Sequence, residues 1–186
     1  FSAALPKRIT RLRSLPLNVY HKGQDVYLAL AQGNFITTQS VLMKKACFNK
    51  IGMFDKRLSR FQDWDLWLRL AQHYEFAHVP QPLVNVYVTE GSLSTNLDAF
   101  WDALEIILHK HKDQGRAGQA LRRHYQFATG DVMCQTGNYE EGKQRLWRAA
   151  RQSPFNLTYW EAAFFTLFGE AFYKMMMARL KIGYVI

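Results

Sequence analysis

Cysteine is nearly absent from this chain: its two, Cys47 and Cys134, are too far apart and too isolated to form a disulfide framework or a cysteine metal site. A reducing compartment is expected. Proline is scarce as well, and Pro6 and Pro16 enclose a basic run from Lys7 to Arg13 that reads as an exposed connector. The most apolar stretch, Ala162 to Ala178, is broken by Glu170 and Lys174 and makes a poor bilayer span. Neither GxGxxG nor GxxxxGK[ST] occurs, so no loop of this sequence cradles a nucleotide in either of those ways. Zinc-finger ligand pairs, RRM-type aromatic patterns and a basic leucine zipper are missing too. The net charge of +9 therefore lacks a nucleic-acid-binding motif around it, and no nucleic acid partner is expected.

With 48% hydrophobic and 21% charged residues, the 186-residue chain has the composition of a globular protein with one sizeable core and a small appendage. Its basic excess gathers at residues 7–13, 44–50, 110–123 and 145–151, patches that suit anionic phosphates or lipid headgroups. Because it opens on Phe1 and a basic, proline-containing approach to a first helix, it is expected to be a piece of something longer.

Hydrophobic periodicity predicts a helix over 24–32 stopped by Gly33, then a strand over 34–43 rich in β-branched and apolar residues. A packed loop around Gly52 follows. A helix over 63–74 comes next, then short strands at 75–80 and 83–88. After residue 97 the pattern turns helical, at 97–112, 119–136, 139–152 and from 157 or 158 to 180 with a weak point at Gly169. A domain boundary is expected at 113–118, separating residues 1–113 from a tail of 114–186.

The most informative segment is Arg60-Phe61-Gln62-Asp63-Trp64-Asp65-Leu66-Trp67-Leu68-Arg69-Leu70. It sets one carboxylate at the mouth of a mostly apolar helix and another inside it. The unpaired N–H groups of a helix start hold an acidic side chain in place, which makes Asp63 a candidate catalytic carboxylate as well as a candidate cap. Asp65 turns away from it and stands four residues before Arg69, the spacing of a structural ion pair. Trp64, Trp67, Leu66, Leu68 and Leu70 cover too wide an arc for a surface helix, so the helix is expected in the core.

The succession Asn34 to Met43, Ile51-Gly52-Met53-Phe54-Asp55, Gln62 to Leu70 and Pro82-Leu83-Val84 resembles the second half of family 2, GT-A type, nucleotide-sugar glycosyltransferases, over about residues 20–97. The resemblance implies an α/β fold: a partial GT-A, Rossmann-like domain lacking its N-terminal half, followed by an all-helical tail. It implies an inverting transfer of sugar from a nucleotide-diphosphate donor to a glycan or lipid-linked acceptor, as in the synthesis of bacterial envelope polysaccharide. Asp63 matches the family's catalytic base, and Gln62 stands where Glu is common. Trp64, Asp55 and Gln62 are the acceptor-side candidates. Trp64 offers a ring, although core packing competes for it, and Asp55 either caps a turn or orients the acceptor loop. Ser92 and Ser94 are the candidates for donor phosphate. No metal ligand is assigned here: Mg²⁺ or Mn²⁺ is expected only through an Asp-x-Asp motif in the missing N-terminal half, which must act in cis or in trans.

The stretch Gly130 to Lys143 with Leu146, Ala149, Ala150 and Pro154 looks like one tetratricopeptide-type helical hairpin. The final aromatic helix packs on it or touches lipid, so the expected location is cytoplasmic, possibly peripheral at the inner face of the membrane. The alternative function is a noncatalytic protein-interaction module derived from a truncated glycosyltransferase.

Overall fold

The computed structural model describes residues 26–79, 81, 84 and 97–180. Two compact units divide between Ile107 and Leu108. The sequence places the boundary slightly later, at the loosening that follows the helix.

In the first unit, α1 (Val26–Leu30) and α2 (Cys47–Ile51) lead to α3 (Gln62–Ala71), and α4 (Leu97–His111) runs on into the second unit. As its sequence predicts, α3 is core: Trp64, Leu66, Trp67, Leu68 and Leu70 are all buried. Both indoles act as struts. Trp64 Nε1–H donates to the Leu30 carbonyl at 2.8 Å, and Trp67 Nε1–H donates to the Ile36 carbonyl at 3.1 Å.

Those struts help to explain why the predicted α/β fold is wrong for this chain. The described residues contain no strand, and the Rossmann-like reading is overturned. Residues 34–43 hold a 3₁₀ turn, Thr38–Ser40, inside irregular backbone. Two of their polar side chains bond locally, Asn34 Oδ1 accepting from the Ile36 N–H and Ser40 Oγ–H donating to the Thr37 carbonyl, while the Ile36 carbonyl is taken from a distance by Trp67. Side chains that bond nearby backbone in this way compete with a sheet ladder. Residues 75–79 are likewise irregular, and the predicted strand at 83–88 lies outside the described residues apart from Val84, which is not in a strand.

The second unit is helical, as expected of the tail. Its helices are α5 (Gly115–Thr136), α6 (Tyr139–Gln152), α7 (Leu157–Phe165) and α8 (Glu170–Leu180). Helices α5 and α6 form a hairpin that turns at Gly137, whose φ of 111° favours glycine. Contact is close where Gly130 and Gly142 face each other. A Cβ on Gly142 would lie 2.6 Å from the Gly130 carbonyl oxygen and 2.7 Å from the Cys134 backbone nitrogen. Backbone cannot yield as a flexible side chain does, so Gly142→Ala is expected to destabilise the protein by about 1–3 kcal/mol, read from urea unfolding. A variant as stable as the parent would contradict this packing.

The predicted final helix is broken at its weak point, Gly169 (φ 91°), into α7, a 3₁₀ turn over Thr166–Phe168, and α8. Two polar contacts, one buried and one partly buried, fix α8 and the 3₁₀ turn to the hairpin. Tyr173 Oη–H donates to Asp131 Oδ1 at 2.6 Å, and Tyr139 Oη–H donates to the Thr166 carbonyl at 2.7 Å. Phe127 stacks on Tyr159 with centroids 4.5 Å apart, inside a core that includes Leu146, Ala149, Ala162 and Met177. Among the described residues no helix is long and apolar enough to cross a membrane.

Candidate functional site

The start of α3 is set by an unusual backbone. Phe61, immediately before the helix, is left-handed (φ 59°, ψ 20°), a conformation that costs a non-glycine residue roughly 1–2 kcal/mol. Aromatic packing offsets that strain. The Phe61 ring meets Trp64 and Phe100 edge-on, at 5.6 and 5.8 Å, and the Arg60 guanidinium lies over Phe61 at 4.9 Å. The chain thus reverses sharply and brings Asp63 into the first turn.

The Asp63 carboxylate is held from three directions. Oδ1 accepts from the Trp64 N–H at 2.7 Å and from Asn34 Nδ2 at 3.3 Å, while Oδ2 accepts from the Thr38 hydroxyl at 3.1 Å. Each carboxylate oxygen has two lone pairs, so Oδ2 keeps capacity for one more donor. Asn34 is itself oriented, because its Oδ1 accepts from Ile36 N–H. The irregular segment that displaces the predicted strand therefore supplies two of the groups that fix the candidate base.

Beside this carboxylate lies an open concavity of about 490 Å³, lined by Thr38, Phe54, Asp55, Lys56, Leu58, Gln62 and Asp63. Its size falls within the roughly 300–1,000 Å³ usual for small-molecule sites. The structure brings three of the sequence candidates, Asp63, Asp55 and Gln62, to this one wall. Asp55 shares its carboxylate with Arg57: Oδ1 accepts from the Arg57 backbone N–H at 3.0 Å and from Nε–H at 3.1 Å, and Oδ2 accepts from Nη2–H at 2.7 Å. Hydrogen bonding to Asp55 holds the Arg57 guanidinium pKa above its ordinary value. Asp55 thus caps its own turn and lines the concavity at once.

Trp64 is elsewhere. It is fully buried with its N–H committed to Leu30, so it offers no face to an acceptor and serves as core. Ser92 and Ser94 lie outside the described residues. Phe54, Lys56, Thr38 and Asn34 were not singled out in the sequence as site residues. For Phe54 the available signal was an aromatic ring directly before Asp55 on a loop that follows a glycine.

The loop carrying Phe54 and Asp55 is clamped to α3 through the predicted pair. Asp65 is completely buried, and its Oδ2 accepts from Arg69 Nε–H at 3.0 Å and pairs with Nη2 at 2.9 Å. The same guanidinium donates to the Ile51 carbonyl at the end of α2 and, at 2.9 Å, to the Met53 carbonyl. Asp63 and Asp65 stand two residues apart, but the two acids face different surroundings: one the concavity, the other buried against Arg69. That arrangement does not fit a shared metal ion. Among the described residues no group of three or more His, Cys, Asp and Glu side chains is placed to hold one.

In the second unit, a groove of about 260 Å³ between α5 and α6 is lined by Tyr125, Gln126, Glu141, Gln144, Arg145 and Arg148. Its one carboxylate, Glu141, is tied to Arg145 at 2.8 Å. Cys134 is no nucleophile, because burial pushes its thiol pKa up to about 12. Comparison with protein-family models, with curated proteins and with solved structures returns no match to this chain.

Proposed function

We propose that this chain supplies the acceptor site and catalytic base of an inverting glycosyltransferase. The observation that carries the reading is the Asp63 carboxylate, oriented by Asn34, Thr38 and the Trp64 N–H, at the wall of an open concavity that also presents Asp55, Lys56 and Gln62. An acceptor hydroxyl donates its hydrogen bond to Asp63 Oδ2. As its oxygen attacks the anomeric carbon, the proton passes to Asp63, the bond from that carbon to the diphosphate breaks, and its electron pair leaves with the nucleoside diphosphate. Asp55 and Gln62 hold neighbouring hydroxyls. Under this reading the nucleotide-diphospho-sugar, and any Mg²⁺ or Mn²⁺ accompanying it, is bound by a nucleotide-binding half in cis or in trans, with Ser92 and Ser94 as donor-phosphate candidates.

The test supplies the protein with that half, a panel of UDP-, GDP- and dTDP-sugars and oligosaccharide acceptors, and measures nucleoside diphosphate release. Asp63→Asn is expected to lower turnover by about 10²- to 10⁴-fold with unchanged folding, the usual contribution of a general base. Turnover at the parent rate would end the assignment.

A different observation favours the second reading, a noncatalytic protein-interaction module. Around Gly169, Phe164, Leu167 and Phe168 are each more than half exposed, with Phe164 and Phe168 in edge contact at 5.2 Å. Contiguous apolar surface of this kind marks an interaction site. Under the transferase reading the same ridge lets a cytoplasmic enzyme rest on the inner face of the membrane near a lipid-linked acceptor. Co-sedimentation with anionic vesicles that Phe164→Ser/Phe168→Ser abolishes would favour the membrane role. Loss of a protein partner in that variant, with Asp63→Asn silent, would favour the module.

A further inference from the structure

From the geometry of the concavity we infer that Phe54 is the platform on which an acceptor sugar stacks, and that the acceptor class is a neutral pyranoside presenting a C–H face. This rests on the transferase reading and adds to it the residue that binds the ring. Hydroxyl groups are recognised by directional hydrogen bonds, but a pyranose also carries a flat patch of C–H bonds that is satisfied only by an apolar surface. A sugar site therefore pairs polar side chains with an aromatic face. The concavity has both. Asp63, Asp55, Gln62, Thr38 and Lys56 provide the polar groups, and Phe54 is the only aromatic side chain among the residues that line it.

Phe54 is 38% exposed and lines the concavity. The ring is also supported. The ring packs at 6.5 Å, tilted by 49°, on Phe48 of α2. The loop beneath it is fixed at both ends, by the Arg69 hydrogen bonds to the Ile51 and Met53 carbonyls and by the Asp55 turn, where Leu58 N–H donates to the Asp55 carbonyl at 3.1 Å. A ring that is anchored yet open presents area to a ligand at little entropic cost. Charge decides the acceptor class. The two lining carboxylates, Asp55 and Asp63, are offset by Arg57 paired to Asp55 and by Lys56, so the wall has no cationic surplus to draw an anionic sugar. Phe54 acts as a binding residue, and Arg69 as a positioning residue behind it.

The experiment titrates the protein with cellotetraose and chitotetraose, with a uronic-acid tetrasaccharide as the charged comparison and glycerol as the ringless control. Binding is followed by amide chemical shifts. The neutral oligosaccharides are expected to shift Phe54, Gln62 and Asp63, and Phe54→Ala to weaken binding at least tenfold. Phe54→Trp is expected to restore it. Because Phe54 lies at the surface its variants should fold, and circular dichroism with Phe54→Leu, which keeps apolar bulk, checks this. Equal affinity in Phe54→Ala, shifts confined to other surfaces, preference for the uronic acid, or no saturation by either neutral probe would overturn the inference. Asp63→Asn separates the two claims. If oligosaccharide binding depends on Phe54 but turnover is indifferent to Asp63, the base assignment fails and the platform stands; the reverse pattern removes the platform alone.

Discussion

Arg69→Met is expected to cost about 3–5 kcal/mol of folding stability, a large share of what a domain of this size possesses. Its partner Asp65 is wholly inaccessible to water while Arg69 is only 19% exposed, so the substitution strands a carboxylate in the core of α3. The buried charge, more than the lost attraction, sets the cost. Replacing both members together, Asp65→Leu with Arg69→Met, removes the stranded charge and is expected to cost less than Arg69→Met alone, because the carbonyls of Ile51, Gly52 and Met53 lie near the surface and can bond water instead. Urea unfolding of the three proteins decides the matter. A single variant within about 1 kcal/mol of the parent, on the scale of an exposed pair, would show that Asp65 is not buried as described.

The double variant also tests how the site is built. The guanidinium of Arg69 is what ties the loop bearing Phe54 and Asp55 to the helix bearing Asp63. If it is a positioning residue, a folded Asp65→Leu/Arg69→Met protein binds neutral oligosaccharide more weakly than the parent although neither residue touches ligand.

The sequence made α3 legible because its signals are local. A helix with a broad apolar side, an acid at its mouth and an i,i+4 ion pair are each written within a few residues, and each is present as Trp64 to Leu70, Asp63 and Asp65–Arg69. The hairpin of α5 and α6 was readable for the same reason, with Gly137 at its turn and small residues at its contact. The strand expectation at 34–43 failed because β propensity is decided by partners. Segment 34–43 has β-branched residues, but its Asn34 and Ser40 side chains bond nearby backbone, Thr38 turns to the Asp63 carboxylate, and the tryptophans of α3 take the Leu30 and Ile36 carbonyls from a distance. Those indole bonds span more than thirty positions and leave no trace in a local window. The burial of Trp64 was weighed against ligand contact and could not be decided from spacing. Phe54 was hidden for the opposite reason: next to Ile51 and Met53 it reads as one more packed apolar residue, and only the folded loop shows its ring open to the concavity.

Acidification is expected to destabilise the protein through His124 before most carboxylates titrate. This imidazole is buried on α5, and desolvation pushes its pKa down to about 4 from an ordinary 6.5. Since the folded pKa lies below the unfolded one, the unfolded chain binds the extra proton throughout the interval between them, and stability rises with pH there. The contribution is complete above pH 6.5, declines as pH falls, and is exhausted below about pH 4; over the whole window it amounts to roughly 3 kcal/mol. Most of that is gone by about pH 4.5. Urea unfolding followed by tryptophan fluorescence at intervals from pH 7.5 to 4 should show the decline in the parent and a flatter profile in His124→Phe. The slope is the readout, because the substitution also changes packing and shifts every point together. A variant that loses stability with acid as steeply as the parent would mean that His124 is protonated in the folded protein and that carboxylates alone govern its acid limit.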